Sequence, residues 1–274
     1  MRLKTVQTVL VYVALVAILL FFLVPIVWFW MLALRPQATA FAMPPVFLFP
    51  PQLKAFYYTF VEPGVNAAQL RNSLIVAIGA TLLNLPFALP AAYALSRFTL
   101  AGKRGFMLWY LSLLMAPPIV YLIPYFILMT RLHLRGTYFS MILILQTLTI
   151  PMSVWLLKSF IDEVPLNWRK RPRWTGPIGD ILLRITLPLT LPGIIVTSMF
   201  AFVFSWNNVV FPLILSNQRT MTLPVGTLNY FATAGITWNY IAATSVVAMI
   251  PPMIIFLVLG RYIVRGLTFG AVKG

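Results

Sequence analysis

No charged residue stands between Lys4 and Arg35, and from Val6 to Leu34 the chain is almost wholly apolar. A helix crosses the hydrocarbon core of a bilayer in about 20 residues. The apolar region of a secretory signal is shorter, about 7–15 residues. The run is therefore read as an uncleaved first transmembrane helix behind a basic start, Arg2 and Lys4. In hydrocarbon every backbone N–H and C=O needs a partner within the protein, so such a segment is α-helical.

Beside this first span, at residues 8–32, five more fall at 72–96, 106–130, 138–158, 188–215 and 241–264. Only 9% of the 274 residues are charged, against roughly 25% in soluble domains. The expected fold is all-α: a polytopic membrane protein with six transmembrane helices in a single domain, 1–274. Within it, 1–70 supplies the first helix and an outer loop, and 71–274 a five-helix core. Placing both termini in the cytoplasm puts 14 of the 20 Lys and Arg inside and 6 outside. Setting aside four basic residues at 169–173 leaves 14 − 4 = 10 against 6, so the orientation does not depend on them. The net charge of +16 follows from these loops. No basic stripe with interleaved aromatics points to nucleic acid.

The catalytic inventory is nearly empty. The four acidic residues are Glu62, Asp162, Glu163 and Asp180, all outside the spans, and Cys is absent. The lone His133 sits in an expected outer loop, where a solvated or interfacial role is the plain reading. A proton- or sodium-coupled carrier places carboxylates within its spans, and no GxxxxGK[ST] phosphate loop is present. Energy for active transport must then come from another chain. The polar groups at membrane depth are uncharged. Asn84 and the stretch Ser205, Trp206, Asn207 and Asn208 are candidates to line a pathway for a hydroxyl-rich solute, by stacking and hydrogen bonding. Hydrogen bonding between helices is the competing role.

Several stretches together resemble one family: RNSLIVAIGATLLNLPFALPAAYALSRF (71–98), APPIVYLIPYFIL (116–128), TIPMSVWLLKSFIDEVP (149–165), ITLPLTLPG (185–193), FSWNNVVFPLIL (204–215), MTLPVGTLNYF (221–231) and the tail RGLTFGAVKG (265–274). The chain resembles the inner-membrane permease subunit of binding-protein-dependent ABC importers, in the carbohydrate branch with a maltose-type second permease and a type I importer fold. The resemblance implies a homologous second permease, a cytoplasmic ATPase dimer, an extracytoplasmic solute-binding protein and a carbohydrate substrate. ATP and Mg would be bound by the ATPase, with no cofactor in this chain. An importer permease for glycerol phosphate or a polyamine stands as one alternative, although a polyamine would favour acidic lining. A channel or structural membrane protein without an ATPase stands as another.

In that family the ATPase couples through a loop between the fourth and fifth spans, of the form P-x-E-L-E-E-A-A-x-x-D-G-A. Here the loop falls at 161–181 and includes Asp162, Glu163, Pro165 and Trp168. Pro165 and Trp168 align with the motif's proline and leucine. Beyond them Arg169, Lys170, Arg171 and Pro172 replace Glu-Glu-Ala-Ala, and Trp174, Thr175 and Gly176 follow. The spacing to Leu187-Pro188-Leu189 is about one residue short. Triplets taken across the codon junctions recover the motif. Trp174 into Thr175 must read GAC, Asp. With permitted codons the others read Glu, Glu, Ala, Ala, then Leu, Val or Met, and Gly and Ala after the Asp. The expectation is a local shift of reading frame, in the determined sequence or in the gene itself. Divergence of the loop is the alternative.

Overall fold

The fold was examined in a computed structural model that describes residues 2–40, 42, 44, 46–62, 65–164, 182–232 and 237–268. These form helices and connections with no strand among the described residues. The principal helices are α1 (Arg2–Leu34), α2 (Val65–Arg97), α3 (Lys103–Ser112), α4 (Pro118–Arg131), α5 (Tyr138–Glu163), α6 (Leu191–Trp206), α7 (Val210–Leu215) and α8 (Trp238–Thr268). Four, namely α1, α2, α5 and α8, are long and apolar enough to cross a membrane.

The expected third and fifth spans are each broken, for local reasons. Residues 103–131 bend by 87° between Met115 and Pro118. Ala116 precedes Pro117, and Pro117 precedes Pro118. A residue before proline is driven out of the helical region, and both adopt ψ near 130° (129° and 132°). In the fifth, α6 stops at Trp206 and α7 begins at Val210. The Asn208 side chain accepts from the Phe211 N–H at 3.1 Å and so starts a new helix instead of continuing the old one. Pro212 falls in the first turn of α7, where its missing N–H costs nothing.

The chain divides into two compact units, 1–68 with 226–250 and 69–225 with 251–274. In the second, α2 lays small residues along one face: Ala77, Ala80, Ala88 and Ala92 are fully buried. Lipid is as apolar as leucine, so helices in a bilayer associate through close approach and interhelical hydrogen bonds rather than by escaping water. Ala80, Ala88 and Ala92 give α5 that approach, and Ala77 packs with Phe202 and Trp206 of α6. Gln146 on α5 donates to the Ala80 carbonyl at 3.1 Å. Val76, Ala80, Met129, Met141, Leu145, Phe211 and Leu215 form one cluster, and Ala88, Ala92, Tyr93, Val154, Leu157 and Ile161 another. In the first unit Ala33, Ala55, Ala242, Ala243 and Val246 make a smaller core.

Three contacts set the directions of helices in the second unit. Asn72, near the start of α2, accepts from Tyr138 at the start of α5 (2.7 Å). Arg97, at the end of α2, donates to Ile161 near the end of α5 (2.6 Å). These two helices therefore run parallel, and residues 98–137 return along the length between them. Phe160, near the end of α5, lies against Gly193 at the start of α6, so α5 and α6 are antiparallel. His133 ends α4 with φ +54° and is exposed; the Leu134 N–H reaches back to the Met129 carbonyl at 2.9 Å. The histidine thus occupies the left-handed position where glycine is usual.

A Cβ at Gly193 would lie 2.4 Å from Phe160 Cγ and 2.7 Å from Phe160 Cβ, so ring rotation alone does not make room. Gly193→Ala is expected to destabilise the purified protein by ~1–3 kcal/mol. The paired change Phe160→Ala should recover part of this, both read by thermal denaturation in detergent.

Candidate functional site

The ends of α2 and α5 carry a group of polar contacts beside the expected coupling loop. The last carbonyls of a helix have no partners within it. At the end of α5 Arg97 supplies them: one guanidinium nitrogen donates to the Ile161 carbonyl at 2.6 Å and to the Val164 carbonyl at 2.8 Å. A cation at a helix C-terminus also opposes the negative end of its dipole. Ser96 donates to the Asp162 carboxylate, and Lys158 pairs with the same group one turn away. Asp162 and Glu163 are exposed. Asp162 is thus engaged within the chain while Glu163 faces outward. The remaining loop positions, Pro165, Trp168, Arg169, Lys170, Arg171, Pro172, Trp174, Thr175 and Gly176, lie outside the described residues. The segment from Pro165 onward starts from a helix end clamped to α2. In the sequence Arg97 is one of the basic residues expected on the cytoplasmic side. Its role was hidden because the carbonyls it serves lie 64 and 67 residues away.

The pathway candidates separate into two places. Asn84 is fully buried on α2, and neither amide atom has a hydrogen-bond partner. No hydrogen bond joins it to the group around Ser205. Ser205 is buried with its hydroxyl unpartnered. Trp206 is 3% exposed and stacks on Phe202, centroids 5.7 Å apart and planes 16° apart. Asn207 is exposed, and its amide donates to the Val203 carbonyl at 3.1 Å. Asn208 is half-buried and starts α7. Both asparagines therefore serve the helix break: one takes up a carbonyl of α6, the other the first amide region of α7. A buried polar group without a partner costs about 1–3 kcal/mol. In Asn84 both amide atoms are left without a partner.

A second polar centre, at the other end of α2, was not anticipated. Asn72 is buried. Its amide nitrogen donates to the carbonyls of Arg219 and Met221, both at 2.9 Å, and its oxygen accepts from Tyr138 at 2.7 Å. Ser73 accepts from the Leu223 N–H at 2.8 Å. Two consecutive residues of α2 thus hold the 219–223 segment that follows α7. The stretch RNS (71–73) carried no pattern by which this distant partner could be found. Among the described residues there is no cluster of His, Cys, Asp and Glu that could hold a metal.

The chain is 33% identical over 256 residues to a probable ABC transporter permease protein of Sinorhizobium fredii, covering 92% of this chain and 91% of that one. It is 28% identical over 278 residues to the trehalose/maltose transport system permease protein of Thermococcus litoralis, covering 100% of each. Its fold matches a chain in the crystal structure of a bacterial ABC transporter involved in the import of the acidic polysaccharide alginate, with TM-score 0.73, 18% identity, and 96% and 98% of the two chains covered. No protein-family model matches the chain.

Arg97→Leu is expected to release the end of α5. Amide hydrogen exchange over 157–164 should speed up by about tenfold, the effect of losing charge-assisted bonds of this kind. Exchange over 138–150 should stay unchanged. Peptide-resolved mass spectrometry checks both.

Proposed function

The chain belongs to the ABC transporter permease family, and from that premise we propose that it is one of two permeases forming the pathway of an ATP-driven, binding-protein-dependent carbohydrate importer. The observation that carries this reading is end-to-end similarity to a permease named for trehalose and maltose. The chain is a multi-pass protein of the cell membrane. In this reading it hydrolyses nothing: a separate ATPase dimer binds ATP and Mg, and a solute-binding protein delivers the sugar. Co-purification of an ATPase and ATP-dependent uptake of a labelled α-glucoside in proteoliposomes test it. Passive uptake without ATP would favour a channel instead.

Six crossings with both termini cytoplasmic accord with the helix directions. The parallel run of α2 and α5 requires one crossing between them, supplied by α3 with α4. The antiparallel run of α6 against α5 continues through α7 to Leu215, whose carbonyl accepts from Gly136 N–H at 2.7 Å near the start of α5. With α1 before and α8 after, six crossings result, two of them broken. Broken helices at membrane depth are a recurrent place for solute sites in transporters, which supports the 205–208 group as part of the pathway.

Asn84→Leu separates the two roles of its residue. Removing an unsatisfied amide should raise the melting temperature, while loss of a pathway group should lower sugar uptake several-fold. A fall in both would assign Asn84 to structure alone.

Coupling to the ATPase is proposed to run through 161–181, mounted on the clamped end of α5, with the Glu-Glu-Ala-Ala motif in the neighbouring reading frame. Resequencing is expected to return that motif. An unambiguous in-frame read of Arg169 to Pro177 removes the sequencing-error version. Should the basic loop be genuine, Pro172 disturbs the coupling helix and the basic run reverses the charge offered to the ATPase. Restoring Glu-Glu-Ala-Ala at 169–172 should then raise both ATPase retention and sugar uptake. Equal uptake by the two versions would sink this account.

A further inference from the structure

Arg35 follows the last turn of α1, at the boundary of the first apolar span, yet it is only 4% exposed. Burying a guanidinium away from water is costly unless it is paired. The one acidic residue of this unit, Glu62, is exposed and forms no ion pair with Arg35. Arg35 Nε has no hydrogen-bond partner. Its guanidinium meets only aromatic faces, with Cζ 5.9 Å from the Trp28 centroid and 5.0 Å from that of Phe49. Aromatic faces attract a cation weakly, and they leave its donors unused.

Two cavities meet at this side chain. One, of about 270 Å³, is mixed in character, with Gln37, Gln52, Lys54 and Asn239 among Pro36 and Ala55 in its lining. The other, of about 660 Å³, is apolar and lined by Trp28, Phe29, Leu32, Phe231, Trp238 and Ile241. Both are lined by Arg35. A ligand that fills them has an anionic, hydrogen-bonding head beside two cations and an apolar tail among aromatic and aliphatic side chains. Tryptophan settles at both membrane–water boundaries, and a basic side chain beside the head groups attracts an anionic lipid. We propose that Arg35, with Lys54 beside it, holds the phosphate of one anionic phospholipid whose acyl chain enters the Trp28–Trp238 cavity. The proposal rests on the membrane reading of the chain and not on the transported solute.

The test uses the full-length protein, purified with its partner subunits in mild detergent. Native mass spectrometry should find one phosphatidylglycerol retained per chain, and adding it after delipidation should raise the melting temperature. Arg35→Gln should lower occupancy about tenfold, the worth of a charge-assisted hydrogen bond to phosphate. Ala40 also lines the apolar cavity; Ala40→Trp takes the space of the acyl chain while keeping the Arg35 charge and should also expel the lipid, so the test survives if Arg35→Gln fails to accumulate. Undiminished retention in both variants overturns the proposal. So does equal stabilisation by phosphatidylcholine, or by inorganic phosphate alone, which would assign the site to any phosphate-bearing lipid or to a free anion. Lipid retention is read without ATP or sugar, so its failure leaves the transport reading standing, and failure of uptake leaves the lipid site standing.

Discussion

A cation removed from water must be neutralised, and this chain has 20 Lys and Arg but only four carboxylates with which to do it. Several of the described cations escape the problem by being exposed, Arg71, Arg104, Arg131, Arg219 and Arg261 among them. Others turn to what an apolar protein offers: backbone carbonyls, which satisfy them, and aromatic faces, which attract them only weakly. Arg97 takes the carbonyls left over at the end of α5 and thereby fixes that end to α2. Arg135 and Lys54, both exposed, also lie over aromatic rings, at 4.7 Å from Phe126 and 5.6 Å from Tyr58. The one ion pair among the described residues, Lys158 with Asp162, lies on the surface of the same helix end. Electrostatics in this protein therefore ties helix ends together and leaves the membrane interior uncharged. That is the condition for an importer whose energy is supplied from outside the membrane.

The interior is held by other means. Leucine-rich faces gain nothing by leaving lipid for protein, so the specific contacts come from alanines that admit a neighbour and from amides that reach a foreign backbone. Asn72 and Gln146 do this from opposite partners, one from α2 to a loop carbonyl pair and one from α5 to an α2 carbonyl. Both ends of α2 are thus tied to elements far away in sequence, with the alanine face between them. Asn84, in the middle of that face, breaks the pattern because neither of its amide atoms is satisfied.

The spans were legible because they depend on a property that sums over 20 or more residues, and no single side chain decides it. The first is the clearest case: the uncharged run after Lys4 became α1, continuous through Pro25. Where a helix stops depends on one or two residues, and there the reading was coarser. Residues 106–130 read as one span by hydropathy, but an 87° bend follows from two successive residues before Pro117 and Pro118 being forced to extended ψ. Residues 188–215 looked like one span because hydropathy does not register that Asn208 prefers to begin a helix. The site was legible in its location and less so in its parts. Asn207 and Asn208 were picked for their chemistry and turn out to be spending hydrogen bonds on local backbone. Asn72, Ser96 and Arg97 act on partners more than 60 residues away, and no local pattern encodes such a pairing.

The clamp at the end of α5 bears on how force from an ATPase would reach the membrane. A loop transmits displacement only if the helix it pushes cannot fray, since a loose last turn would absorb the motion. Arg97 removes that slack by holding two of the terminal carbonyls from a different helix, and Ser96 holds Asp162 from the adjacent position. In the proposed coupling, displacement arriving at Val164 is passed to α5 and α2 together. Because α5 packs antiparallel on α6 through the Gly193–Phe160 contact, the next element in line is α6, which ends at the Trp206 break. The helical backbone is interrupted there between Trp206 and Val210. In the proposed coupling, a push from the ATPase side ends at this interruption, where the candidate pathway residues sit.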